Sequence, residues 1–235
     1  MPNSSSTKTA LIIGASRGLG YAMTEEYLKR GWGVVGTVRG DSPTRLHELA
    51  ARPDSLVEIE TIDINFPDQI AALRTRLAGR AFDVVFVNSG VTNNNPDDIV
   101  AEVSTDEFIR VMVTNALSPM RVVEALQDLV PPGGTIGVMS SGQGSVANNI
   151  RGMREVYRGS KAALNTFMRS FAARHSDNSR AMVLMAPGWV QTELGGPDAP
   201  LTIENSVPGL VDVLMSVQGK PGLQYLDYLG RTVPW

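Results

Sequence analysis

The stretch Ala10-Leu-Ile-Ile13-Gly14-Ala15-Ser16-Arg17-Gly18-Leu19-Gly20 decides the fold. Its apolar opening reads as a buried strand, and the glycines that follow turn the chain into a helix over about residues 18–30. Glycine permits a tight turn and close backbone approach, and a helix start offers unpaired N–H groups that suit a pyrophosphate. The spacing G-x-x-x-G-x-G departs from the common G-x-G-x-x-G, but the same physics applies. The competing reading is a plain strand-to-helix connection of the kind any α/β protein needs.

Outward from this turn, short apolar runs alternate with helical patterns. Strands are expected at 33–38, 57–62, 82–87, 135–139 and 181–185, with a short one near 224–226. Helices are expected near 43–51, after Pro67, and over about 104–130, 154–176 and 202–217. Such alternation implies parallel pairing through right-handed crossovers. The expected fold is α/β, a Rossmann-type, doubly wound and mostly parallel sheet of about seven strands with helices on both faces. Residues 1–7 read as a flexible tail and 8–235 as a single domain. Gly195-Gly-Pro-Asp-Ala-Pro200 reads as a loop or lid.

With 235 residues, 43% hydrophobic and 19% charged, the chain can bury one substantial core. A net charge of −3 argues against a broad nucleic-acid-binding surface. The absence of cysteine removes disulfide and thiolate chemistry. His47 and His175 stand apart from any ligand-spaced cluster, so no metal site is expected. The polar start lacks the apolar core of a secretion signal, and no apolar run reaches the roughly 18–20 residues of a membrane span. A cytoplasmic protein without membrane or nucleic-acid partners is the expectation.

Tyr157 and Lys161 are four residues apart on a predicted helix, so their side chains share a face. A phenol ordinarily has a pKa of about 10, and a neighbouring ammonium favours the phenolate, bringing the group toward a useful acid/base range. Spacing alone is weak support, because ordinary surface helices supply many such pairs. The end of the second strand adds a cofactor preference. Arg39 stands where NAD sites commonly place a carboxylate, and Arg17 lies in the glycine turn. Two guanidiniums suit a 2′-phosphate despite nearby Asp41, so NADP(H) is favoured over NAD(H).

These residues resemble the short-chain dehydrogenase/reductase family over nearly the whole chain. Gly14, Ser16, Arg17, Gly18, Leu19 and Gly20 are similar to its cofactor turn, although Ile13 replaces a frequent threonine. Asp63 and Ile64 look like its adenine-contacting pair, and Asn88-Ser89-Gly90 like its Asn-Ala-Gly. Asn115, Ser141, Tyr157 and Lys161 match its catalytic set. Pro187, Gly188, Val190 and Thr192 match the segment beside the nicotinamide. The stretches at 140–145, 157–165 and 195–200 and the tail at 227–235 are similar to the C-factor and Sniffer-like carbonyl reductase branch. Ser141 and Tyr157 lie 16 positions apart, wider than is common in the broader family, so residues near Ala147-Asn-Asn-Ile150 must loop out.

The resemblance implies hydride transfer between nicotinamide and a carbonyl or alcohol. Tyr157 would be general acid/base, and Ser141 would hydrogen-bond the substrate oxygen. Lys161 would lower the tyrosine pKa and bind the ribose, while Asn115 would support a water. Ser140 competes with Ser141, since strand residues alternate faces, and Asn115 could instead satisfy a local backbone group. Gln143, Val146, Met153, Trp189 and Leu194 are candidate pocket residues, and their few charges point to a small or medium apolar ketone, aldehyde or quinone. The family also implies a homodimer or homotetramer. The rival reading is a nucleotide-binding regulatory protein that turns over little.

Overall fold

The computed structural model describes residues 7–235. Apart from Thr7, the tail expected at 1–7 lies outside the described residues. Seven strands form one sheet in the order β3-β2-β1-β4-β5-β6-β7. They are β1 (Thr9–Ile13), β2 (Gly33–Val38), β3 (Val57–Thr61), β4 (Val84–Val87), β5 (Thr135–Met139), β6 (Ala181–Ala186) and β7 (Gly222–Asp227). Every neighbouring pair is parallel. The expected antiparallel allowance is therefore unused, and the fold is a Rossmann-type doubly wound sheet.

Seven helices connect the strands: α1 (Gly18–Lys29), α2 (Arg45–Ala50), α3 (Pro67–Arg76), α4 (Thr105–Met112), α5 (Ser118–Leu126), α6 (Glu155–Arg174) and α7 (Ile203–Ser216). Successive strand residues point to opposite faces, so β1 feeds two cores. Leu11 and Ile13 join Leu73, Leu126, Leu164 and Met168 on the side of α3, α5 and α6. Ala10 and Ile12 join Met23, Tyr27, Leu46 and Leu210 on the side of α1, α2 and α7. Both faces are covered, which explains the near-continuous apolar runs of the strands. No helix among the described residues is long and apolar enough to cross a membrane.

The helix expected over 104–130 is interrupted. A wide π turn at Val113–Leu117 separates α4 from α5, and Asn115 sits at its centre. The cause is Pro119, which has no N–H to offer the carbonyl four residues back and whose ring crowds it. That carbonyl belongs to Asn115. The chain responds by widening: the Ser118 N–H donates to the Val113 carbonyl, five residues back.

The strand order reverses direction between β1 and β4, the switch point at which open parallel sheets bind ligands beyond their carboxyl ends. Ile13 pairs with Val87 there, so Gly14 and Asn88 emerge side by side. Ser140 and Ser141 leave β5 at the same end, and Pro187 leaves β6.

Candidate active site

The glycine turn is built for contact through the backbone. A Cβ on Gly20 would lie 2.0 Å from the Gly14 carbonyl oxygen and 2.6 Å from Asn88 Nδ2. Gly14, at φ +89, could not carry one either, because it would lie 2.3 Å from the Asn88 carbonyl oxygen. Asn88 Nδ2 donates to the Gly14 carbonyl at 3.0 Å, and Thr37 Oγ1 accepts from the Gly14 N–H at 2.9 Å. At Gly18 the opposite holds: φ is +56 and a Cβ would meet nothing within 4 Å. Arg17 gives α1 no side-chain cap, and its first turn holds no acidic residue. The helix start therefore keeps free donors facing open space, which is what a pyrophosphate requires.

Beyond this turn lies a cleft of about 520 Å³ lined by Arg39, Asp41, Thr61, Asp63, Phe66 and Arg76. Asp63 accepts the Asn65 N–H at 2.9 Å and so shapes the turn after β3, while the side chain of Ile64 joins the core. Arg39 is exposed in the cleft. Arg17 does not line it; its guanidinium pairs with Glu193, in the segment after β6. Without a bound cofactor the two guanidiniums thus stand apart. The turn after β1 aims Arg17 across the groove, and Arg39 alone of the pair lines the cleft.

Tyr157, Ser141, Lys161 and Asn115 converge at the carboxyl ends of β4 and β5. Tyr157 and Lys161 are both buried on α6. Lys161 Nζ donates to the Ser89 carbonyl at 3.0 Å and to the Met139 carbonyl at 2.9 Å. Burial pulls its pKa down to about 7. Burial pushes the Tyr157 phenol up, opposed by a hydrogen bond with Ser141 and by the charge of Arg154. Lys161 is not among the groups that lower the phenol. The amine is instead turned to two carbonyls and desolvated.

Asn115 is completely buried, and its partners are specific. Its Oδ1 accepts the Val91 N–H at 2.8 Å, and its Nδ2 donates to the Val91 carbonyl at 2.8 Å and to Ser160 Oγ at 2.9 Å. It bolts the loop after β4 onto α6, and its backbone partner is Val91, 24 residues away, rather than a local group.

The choice between adjacent serines follows from sheet alternation. Ser140 Oγ is buried and donates to Asn165 Oδ1 at 2.6 Å, whereas Ser141 is half-buried and accepts the Gln143 N–H at 3.1 Å. Tyr225 O–H donates to the Ser141 carbonyl from β7. Ser160, Asn165 and Tyr225 were not singled out from sequence. Ser160 stands within the Tyr157–Lys161 motif and was legible there, but no local signal marks Tyr225, 84 residues from Ser141.

Among the candidate pocket residues, Val146 is 72% exposed, Met153 61%, Trp189 52% and Leu194 37%, and Gln143 is half-buried. The residues at 145–154 do loop out between Ser141 and α6. The expected lid is stapled at several points. Trp189 Nε1 donates to the Gly195 carbonyl at 2.7 Å, Thr192 Oγ1 accepts the Gly195 N–H at 3.1 Å, and Val190 bridges to Leu201. Gly188, at φ +83, packs where a Cβ would strike Leu201, and the Pro187 carbonyl accepts from Ser206 Oγ at 2.7 Å. These contacts hold the segment against the ends of β6 and β7.

Comparison with known proteins agrees with this architecture. The profile described as short chain dehydrogenase matches residues 8–200. A short-chain dehydrogenase/reductase from Burkholderia multivorans, solved with bound NADP, is 64% identical. That match covers 97% of this chain and 100% of the other, with a TM-score of 0.95. A carbonyl reductase from Pseudomonas aeruginosa PAO1 in complex with NADP is 34% identical, covering 98% and 100% of the two chains, with a TM-score of 0.90. The C-signal protein of Myxococcus xanthus is 34% identical over 166 residues, 70% of this chain and 99% of that one. With the glycine turn at the switch point and serine, tyrosine and lysine gathered beside it, the match over residues 8–200 shows that this chain belongs to the short-chain dehydrogenase/reductase family.

Proposed function

We propose that this protein is an NADP(H)-dependent carbonyl reductase, reversible as an alcohol dehydrogenase, with Tyr157 as general acid/base. The observation that carries the reading is the convergence of Ser141, Tyr157 and Lys161 beside a glycine turn open for a pyrophosphate. Arg39 in its cleft supplies the cation for a 2′-phosphate. The NADP-bound relatives support the same choice. The bound cofactor supplies the hydride, taken up at the carbonyl carbon.

Ser141 Oγ hydrogen-bonds the carbonyl oxygen and stabilises charge developing there. Tyr157 gives that oxygen its proton, so the carbonyl becomes an alcohol and the tyrosine a phenolate. Lys161 restores the balance. With its pKa near 7, it holds a proton about half the time at neutral pH. In its protonated form two N–H bonds go to Ser89 and Met139 and the third proton passes to the phenolate, leaving a neutral amine that solvent recharges. Asn115 keeps the Val91 loop and α6 in register around the amine.

A homodimer or homotetramer fits the exposed apolar side chains of Phe108 and Ile109 on α4 and Phe167 on α6. The test of function is NADPH oxidation over a panel of carbonyl compounds with Tyr157→Phe as the paired variant. The variant should lose about 10²–10⁴-fold in kcat/KM while still binding NADPH. Turnover independent of Tyr157 would remove its role as general acid/base, and NADPH binding with no turnover by either protein would favour the weak nucleotide-binding regulator.

A further inference from the structure

Arg154 stands close in the chain to Tyr157 and forms no ion pair with an acidic side chain among the described residues. It precedes α6 and lies three positions before Tyr157, so the two backbones are roughly 5–6 Å apart. It is half-buried, and no side-chain hydrogen bond or ion pair of its own is present among the described residues. Two acidic side chains of the flanking segments have other partners. Glu155 Oε2 accepts the Val100 N–H at 2.8 Å, and Glu193 pairs with Arg17. Arg158, one turn on, is also engaged, donating from Nε to the Met153 carbonyl at 2.8 Å.

The backbone pays for this placement. Gly152, Met153 and Arg154 run left-handed in succession, at φ 64, 60 and 54. Glycine adopts that region freely, but Met153 and Arg154 do so against their Cβ atoms. Non-glycine residues held this way concentrate at sites of function, where the surroundings enforce the conformation. The Arg158 bond to Met153 is one such enforcing contact. The charge of Arg154 also reaches the Tyr157 phenol, where it opposes the upward push of burial after the hydrogen bond with Ser141.

We propose that the substrate is an anion: Arg154 binds a carboxylate or phosphate group while Tyr157 and Ser141 meet the carbonyl oxygen. The planar guanidinium presents paired donors that match either oxyanion. The exposed side chains of Val146, Met153 and Trp189 remain for an apolar body. The ligand class is therefore an aryl or alkyl carbonyl compound with an anionic end, narrower than the apolar ketone or aldehyde read from sequence. The inference rests on the reductase reading above and adds the charge of the substrate to it.

The experiment compares 4-formylbenzoate and 4-formylphenyl phosphate with the neutral methyl 4-formylbenzoate, following NADPH oxidation by the full-length protein. Wild type should favour at least one anion over the ester about tenfold in kcat/KM, mainly through KM, with carboxylate and phosphate arms distinguishing the two groups. Arg154→Gln should collapse that ratio toward one, and Arg154→Lys should keep part of it. Arg154→Gly suits the left-handed backbone and guards against misfolding as the cause. A second readout needs no turnover: ligand-observed NMR should show benzoate binding more tightly than benzamide to wild type and not to Arg154→Gln. An ester turned over as well as both anions, or a preference that survives Arg154→Gln and Arg154→Gly, overturns the proposal. Failure of all three compounds with NADPH bound removes the reductase reading beneath it, which is a distinguishable result.

Discussion

Two turns in this protein lead left-handed backbone toward a helix, one before α1 and one before α6, and they use opposite residues. Before α1 the positions are Gly14 and Gly18, at φ 89 and 56. Before α6 they are Gly152, Met153 and Arg154. In the first turn a side chain would collide with Asn88 or fill the open side that a phosphate needs. In the second, the side chains are kept and the chain bears the strain. The first turn works through its backbone, the second through what it carries. On the proposal above, that turn faces the substrate, and such chemistry needs side chains.

Gly20→Ala should break the first turn, with the largest effect. Two contacts of 2.0 and 2.6 Å cannot both relax without moving the start of α1. A loss of about 3 kcal/mol or more in unfolding free energy is expected, with NADPH affinity falling as well. Gly31→Ala is the control. It has a positive φ of 77 and open space around it, so only the conformational cost of about 1–2 kcal/mol should appear in denaturant unfolding.

Lys161, one helical turn past Tyr157, sharpens the second region through pH. Its folded pKa of about 7 lies below the ordinary 10.5. Between those values the unfolded chain holds the proton and the folded chain does not, so stability rises with pH. The cost is fully present below pH 7. Cofactor-free protein should gain ~2 kcal/mol between pH 7 and 9 relative to Lys161→Met, read from urea unfolding at each pH. Parallel curves for the two proteins would mean that the amine stays charged when buried.

Met153→Gly should make the second turn resemble the first. Relief of the left-handed strain, less the extra freedom of glycine in the unfolded chain, predicts a gain of about 0.5 kcal/mol in thermal or denaturant unfolding. A loss would show that Met153 contributes packing that its 61% exposure hides. The smallest effect is expected where the two halves meet, at Arg17 and Glu193. Their side chains are 65% and 72% exposed. Glu193→Gln should change unfolding free energy by less than about 0.5 kcal/mol, and an NADPH titration should shift only slightly.

Much of the scaffold was legible because it is local. Buried parallel strands announce themselves as unbroken apolar runs, and Gly14, Gly18 and Gly20 mark the turn. The break at Asn115 was written in the sequence too, as Pro119 four residues later, but a helical period read across 104–130 passes over it. Other features leave no local trace. Ser140 is tied down because Asn165 on α6 takes its hydroxyl, a partner 25 residues away. Nor does any local signal show that Arg17 pairs with Glu193, far along the chain.

The sequence by itself determined the doubly wound sheet, the open glycine turn and the four-residue pairing of Tyr157 with Lys161. Each depends on periodicity or on the absence of a side chain, which neighbours a few residues away decide. Only the tertiary structure determined that Lys161 is held near neutrality, that Tyr225 steadies Ser141 and that Arg154 forms no ion pair with an acidic side chain among the described residues. Those properties are set by burial and by partners tens of residues distant, because desolvation and hydrogen bonding act through space after the chain has packed.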